Sequence, residues 1–239
     1  RLWRRDLSAD TSVPLTDSLD LSFDEHEFSP DGRTLYLVAE ERGRVALFRI
    51  GSDGKGFSRI YGEGTSAGIR ARGSAIVFVN ENAARPGELF ALDPVKGTAR
   101  ALTHFNDALT ARLDLGKTES REFAGAEGDR VQMWVTYPPG FDPAKKYPLV
   151  QVLHGGPWTM ARDDFFLRWN PHVFAASGYV VARVNRHGST GFGEAFARSI
   201  DLHWGDRPMA DVLAGTAELV ANVPGIDGDR VAAAGASYG

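Results

Sequence analysis

Gly235-Ala236-Ser237-Tyr238-Gly239 fits G-x-S-x-G, the spacing of a nucleophile elbow, in which a strand turns sharply into a helix and holds a serine at the tip in a strained backbone conformation. The chemistry this offers is nucleophilic. A serine hydroxyl that gives its proton to a base attacks an acyl carbon and is esterified by it. Side chains two positions to either side would run into the turn, so glycine belongs at 235 and 239. Acyl transfer also needs donors aimed at the oxygen that becomes negative in the tetrahedral intermediate. His154-Gly155-Gly156-Pro157 lies about 80 residues upstream, and its glycines let backbone approach a substrate closely. Each segment alone is equally an ordinary turn; their order, strand then loop and later strand then elbow, selects acyl transfer.

The elements that must position these motifs are legible upstream. Arg230 to Ala234 is a short run of small apolar residues, the pattern of a strand buried on both faces of a parallel sheet. Arg121 to Ala124 and Val131 to Tyr137 pattern as a hairpin, and Lys146 to Leu153 is a strand that runs straight into His154. A helix ends at Phe174 to Ala176, a buried strand covers Tyr179 to Val184, and a helix covers Met209 to Asn222. In that helix Met209, Val212, Leu213, Leu219 and Val220 share one face, predicting that this face packs on the sheet. Strands alternating with helices predict a mostly parallel, doubly wound α/β domain. In the α/β-hydrolase arrangement one oxyanion donor is the N–H after the nucleophile, here Tyr238, and the other comes from a loop such as His154 to Pro157.

Residues 1–104 follow a different grammar of short alternating strands and turns. Leu35 to Val38, Ala46 to Ile50 and Ser58 to Tyr61 are echoed by Val77 to Asn80, Glu88 to Leu92 and Arg100 to Thr103, each at an offset of 42. Four short strands in such a period make one β-propeller blade, and Ser29-Pro30-Asp31-Gly32 supplies a tight turn before the next strand. Leu2-Trp3-Arg4 to Leu15-Thr16 resembles the tail of a further blade. The expectation is therefore an incomplete β-propeller, its last blades in residues 1–104, a linker over 105–120, and in 121–239 the N-terminal part of an α/β-hydrolase domain truncated at the elbow. Two blades and a fragment do not close a ring, so a longer polypeptide is expected. A small β-sandwich is the alternative for residues 1–104.

Composition excludes several classes. The 27 basic and 31 acidic residues leave a net charge of −4 with no basic stripe to track a phosphate backbone, so no nucleic-acid partner is expected. No apolar run is long enough to span a bilayer, so no membrane partner is expected. With 0 cysteines there is neither a disulfide nor a thiolate site. No pair of histidines has zinc-site spacing, so metal and cofactor are both expected to be none.

Pro138-Pro139-Gly140-Phe141, Lys146-Tyr147-Pro148, His154-Gly155-Gly156-Pro157, Arg168-Trp169-Asn170-Pro171, Gly188-Ser189-Thr190-Gly191-Phe192-Gly193, Trp204-Gly205 with Asp211, and the elbow together resemble the prolyl oligopeptidase family of serine peptidases, in particular its dipeptidyl peptidase V and acylaminoacyl-peptidase branch. The resemblance implies a propeller joined to a hydrolase domain and an exopeptidase acting on short peptide substrates, releasing N-terminal dipeptides through an acyl-enzyme. An acylaminoacyl-peptidase and a carboxylesterase are the alternatives within this chemistry, and a non-catalytic binding module is the alternative outside it. By this resemblance Ser237 is the nucleophile, and Tyr238 and Gly156 donate backbone N–H groups to the oxyanion. The family often reads Asn-x-Arg-Gly-Ser where this chain has Asn185-Arg186-His187-Gly188-Ser189, which puts His187 at the arginine position.

In α/β-hydrolases the triad acid and then the histidine follow the serine, so both are expected beyond Gly239, with the isolated 239-residue chain inactive and the remainder of its polypeptide its partner. Oligomeric state is not legible, and the compartment leans only by resemblance toward periplasmic or secreted. Of the six histidines, His154 is expected to shape its loop, His26 and His104 to belong to the propeller, and His172, His187 and His203 to be surface or core residues. Phe165, Phe166 and Trp169 pattern as core rather than as pocket, and Glu40-Glu41 as a solvated turn rather than as an anchor for a substrate amine.

Overall fold

Alternating apolar residues pair the first hundred positions into antiparallel sheets in the computed structural model, which describes residues 1–239. Strands β1 (Trp3–Asp6) and β2 (Thr11–Pro14) form a separate hairpin. β3 (Phe23–Phe28), β4 (Thr34–Glu41), β5 (Arg44–Gly51) and β6 (Ser58–Tyr61) make one four-stranded meander, and β7 (Thr65–Arg72), β8 (Ala75–Asn82), β9 (Arg85–Asp93) and β10 (Thr98–Ala101) make a second. Corresponding strands begin 40 to 42 residues apart, matching the sequence repeat. The turn before β4 forms as its residues dictate: Gly32 N–H donates to Ser29 O at 2.8 Å, and Asp31 accepts from the Ser29 hydroxyl and the Arg33 N–H. One parallel bridge, Val45 to Thr65, joins the two meanders, and the combined sheet is open, with β3 and β10 outermost.

The second unit comprises α1 (Asp107–Thr110), β11 (Thr118–Ala124), β12 (Arg130–Thr136), β13 (Tyr147–Leu153), α2 (Pro171–Ala176), β14 (Val180–Asn185), α3 (Glu194–Arg198), α4 (Asp206–Asn222) and β15 (Ile226–Gly235). Its sheet runs β11-β12-β14-β13-β15, antiparallel through β11, β12 and β14 and parallel through β14, β13 and β15. β14 is buried along its whole length at the centre, as its apolar run requires. None of the helices is long and apolar enough to cross a membrane.

Two expectations are corrected. β11 begins at Thr118, inside the expected linker, because Thr118, Glu119 and Ser120 pair with Thr136, Val135 and Trp134 across the hairpin. Within residues 1–239 β15 pairs with β13. On α4 the buried residues are Pro208, Asp211, Val212, Gly215 and Leu219, while Met209 and Leu213 are exposed. The stripe that faces the sheet is one step round the helix, and its polar and small members hid it from a hydrophobicity pattern. Gly215 lets the helix close on the sheet, since a Cβ there would sit 2.9 Å from the Phe123 ring and 3.2 Å from Val184. Gly215→Val is expected to lower stability by about 1–3 kcal/mol through overpacking, read as a shift of the denaturant midpoint at unchanged slope; a wild-type midpoint would show that α4 has room to move.

The segment after β13 seats the second unit on the first. Asp163 donates its N–H to Gly43 O at 2.8 Å, accepts from Thr65 Oγ1 on its carbonyl and from the Ala83 N–H on its carboxylate, and faces Arg44 at 3.6 Å. Arg162 pairs with Glu40 at 2.6 Å. Met160 enters the apolar core of the meanders beside Val45, Leu47 and Phe78. The loop that leaves the Gly-Gly turn is thus held by both units at once.

Candidate active site

β15 delivers the elbow. Ser237 takes φ +62°, a left-handed conformation that costs a non-glycine residue on the order of 1–3 kcal/mol and turns the serine out of the strand line. A Cβ at Gly235 would lie 2.5 Å from the Gly239 carbonyl carbon, and one at Gly239 would run into the Leu153 carbonyl oxygen. Neither contact can be relieved by a rotamer change, because both partners are backbone. The turn therefore closes only with glycine at both positions.

The Gly-Gly loop faces this elbow. A Cβ on Gly155 would be 3.1 Å from Ala236 O, 3.5 Å from Ser237 Cβ and 3.9 Å from Ser237 Oγ. Gly156 has φ +115°, a backbone conformation reserved for glycine; it turns the chain after Gly155 toward Pro157. The two segments singled out in the sequence are thus neighbours, and Gly155 is the residue that lies against the serine.

His154 shapes the loop, as expected, and its hydrogen-bond partners determine its tautomer. Its Nδ1–H donates to Gly155 O at 2.9 Å, and its Nε2 accepts from the Ser189 hydroxyl at 3.0 Å. Burial, with the nearby Arg186 cation adding to it, holds its pKa down to about 3, so the ring is neutral and both nitrogens are committed. Tyr238 is fixed from two sides: its hydroxyl donates to Trp204 O, and its ring meets the Trp204 ring edge to face with centroids 5.5 Å apart.

His187, at the family's arginine position, does form an ion pair. Its backbone N–H donates to Asp211 Oδ2 at 2.6 Å, its Nδ1–H to the same oxygen at 2.7 Å, and its Nε2 lies 3.2 Å from Asp129 Oδ2. The other Asp211 oxygen accepts from the Ala126 N–H at 2.8 Å, so α4 ties together the Gly125–Asp129 turn and the loop that follows β14. Burial lowers the His187 pKa, but the hydrogen bonds and charge of Asp211, with Asp129 behind them, outweigh it and leave it raised.

The two histidines therefore impose opposite pH dependences. The stabilisation from His187 is full below the unfolded histidine pKa, about 6.5, and is lost as pH rises through its raised folded value. His154 stays neutral when folded while the unfolded chain takes up a proton, so stability is lost as pH falls from about 6.5 toward its folded value of about 3. Asp211→Asn is expected to cost roughly 3–5 kcal/mol and to flatten the alkaline fall while leaving the acid fall in place. Thermal melts across pH check this; an unchanged alkaline limb would contradict it.

A cavity of about 450 Å³ opens beside the elbow, lined by Gly155, Ala236, Val152, Met160, Phe166 and Trp169, with Glu81, Asp164, Arg162 and Arg183 at its polar wall. Phe165 is core, as expected, but Phe166 and Trp169 line this cavity, and Phe166 is about half exposed. Glu81 comes from β8, so both units contribute to the wall; burial first, then the neighbouring Asp164, raises its pKa. A larger cleft of about 990 Å³ lies between residues 17–24 and 190–198, and none of residues 235–239 lines it. Glu40, expected to be solvated, borders that cleft and is held by Arg162. The remaining histidines lie elsewhere: His104 and His203 pair with Asp107 and Asp206, His172 is buried in α2, and His26 is exposed on β3.

A positive-φ serine at the end of a parallel strand, with a Gly-Gly loop from the adjacent strand laid against it, is the nucleophile geometry of the α/β-hydrolase class. The sequence profile of the prolyl oligopeptidase family matches residues 165–239. The whole chain is 31% identical to dipeptidyl-peptidase 5 of Porphyromonas gingivalis, covering 35% of that protein. It is 36% identical to a probable dipeptidyl-peptidase 5 of Aspergillus clavatus over 92% of this chain and 31% of that protein. An acylaminoacyl peptidase solved in complex with Z-Gly-Gly-Phe-chloromethyl ketone superposes with a TM-score of 0.83 at 25% identity, over 95% of this chain and 35% of that one. The prolyl oligopeptidase family match thus falls on the part of the chain that carries the elbow, and the chain spans about a third of the length of these relatives.

Proposed function

We propose that this chain carries the nucleophile and oxyanion portion of a serine exopeptidase that cleaves short peptides and releases N-terminal dipeptides. Ser237 Oγ attacks the scissile carbonyl carbon while its proton passes to a base. The carbonyl oxygen takes the negative charge between the N–H groups of Tyr238 and Gly156. Collapse breaks the C–N bond, the leaving amine takes the proton, and water then hydrolyses the dipeptidyl ester. The observation that carries this is the elbow itself, Ser237 at φ +62° between two glycines that no other residue can replace, with Gly155 against its side chain.

We place the base outside residues 1–239, because in α/β-hydrolases the acid and histidine follow the serine and the histidines here are engaged or placed elsewhere. We likewise read the two meanders as blades of a β-propeller that narrows access to the site; the match in strand spacing supports it, as do the peptidases named above. The cavity shared by Phe166, Trp169 and Glu81 suits one or two residues on the acyl side of the bond. The likeness to an acylaminoacyl peptidase keeps one second reading in play, a preference for blocked N-termini. The test is to assay the full-length protein on matched dipeptidyl substrates with free and acetylated N-termini and on a simple ester. Cleavage of the free-amine substrate alone is expected. Preference for the acetylated one supports the second reading, and cleavage of the ester alone removes the peptidase.

A further inference from the structure

Arg186 is a buried cation that the acyl-transfer chemistry above does not use. It is 3% exposed. The residues beside it are both anchored: the Asn185 side chain accepts from the Ala161 N–H at 2.6 Å and donates to Ala161 O at 3.0 Å, and His187 is held by Asp211 through backbone and ring. From this fixed base the guanidinium reaches two places. One nitrogen donates to His154 O at 2.7 Å, the carbonyl immediately before Gly155 and Gly156. Its central carbon lies 4.9 Å from the centroid of the Tyr238 ring, within the range of a cation–π contact. The second terminal nitrogen, Nη1, is buried and has no protein partner.

The two things Arg186 touches are the carriers of the two proposed oxyanion donors, the Gly-Gly loop and the residue after the serine. They come from different strands, β13 and β15, and an oxyanion hole works only when both N–H groups converge on one point before the charge forms. A planar guanidinium can hydrogen-bond in its plane and stack through its face at the same time, which an ammonium cannot do. Its charge is also buried, where it counts for more than in water. Arg186 occupies the x position of the Asn-x-Arg-Gly-Ser pattern, so the bridge is made by the residue next to the one the pattern specifies.

We propose that Arg186 is the positioning residue of the oxyanion hole, a strut that sets the Gly155–Gly156 loop and Tyr238 at the spacing the tetrahedral intermediate requires. This rests on the acyl-transfer role proposed for Ser237.

The experiment compares full-length wild type, Arg186→Met and Arg186→Lys. Three quantities are read on one free-amine dipeptidyl substrate and its matched peptide boronate, a tetrahedral anion: kcat, KM and the boronate inhibition constant. A strut predicts that Arg186→Met lowers kcat roughly 30- to 300-fold, weakens the boronate in parallel, and leaves KM within about 3-fold. Arg186→Lys keeps the charge but loses the stacked fork, and is expected to recover only part of kcat. Wild-type kcat and boronate affinity in both variants overturn the inference while leaving Ser237 in place. If Arg186→Met does not fold, Arg186→Lys decides alone: a lowered kcat with matching boronate loss supports the strut, and a wild-type kcat overturns it. A wild-type protein that turns over no acyl substrate removes the underlying role of Ser237 and the strut with it.

Discussion

Ser237→Ala in the full-length protein is expected to lower kcat by about five to six orders of magnitude and to leave the melting temperature where it is. The two halves of this result have separate causes. In the proposed mechanism Oγ is the atom that bonds to the substrate, so no other group takes over, and only the residual help of the proposed oxyanion donors and of binding remains. The side chain is exposed at the tip of the elbow, so its removal opens no cavity, and alanine inherits the same backbone strain. Measuring kcat together with a thermal melt checks both halves. A variant that loses stability as well would place the serine in a structural role.

Gly239→Ala is the second large effect, and it acts through backbone alone. The new methyl would be driven into the Leu153 carbonyl, with Leu153 C at 2.8 Å and His154 O at 3.0 Å behind it. All three belong to the end of β13 and the start of the Gly-Gly loop, so relief of the clash pushes the elbow away from that loop. A displacement of about 1 Å at a reacting group costs on the order of 100-fold in rate. The expected result is thus a loss of at least roughly 100-fold in kcat, with the sheet still folded by circular dichroism. Activity within a few-fold of wild type would show that the elbow has slack and that the glycine is not a spatial requirement.

Much of this arrangement is legible in the sequence. The elbow, the Gly-Gly loop and the strand before each depend on neighbours within a few residues, which is the range over which turn chemistry and periodicity are informative. The blade-like repeat was visible because it recurs. What escaped were partnerships across the chain. His187 with Asp211, Glu40 with Arg162, and Arg186 with both His154 O and the Tyr238 ring join residues 24, 122, 32 and 52 positions apart, and no local pattern announces them. The buried face of α4 was misplaced for a related reason: Asp211 and Gly215 are buried because of what they meet, a histidine and an aromatic ring, and neither looks like core by its own chemistry.

The claim on which the rest depends is that Ser237 is an activated nucleophile set in an oxyanion hole. The most direct measurement is the intact mass of the full-length protein before and after a fluorophosphonate, which reacts with serines activated by a base, followed by peptide mapping. One adduct on Ser237, absent in Ser237→Ala, is the expected result. No adduct, or an adduct on another serine that persists in Ser237→Ala, would contradict the claim and leave the non-catalytic binding module as the account of this fold.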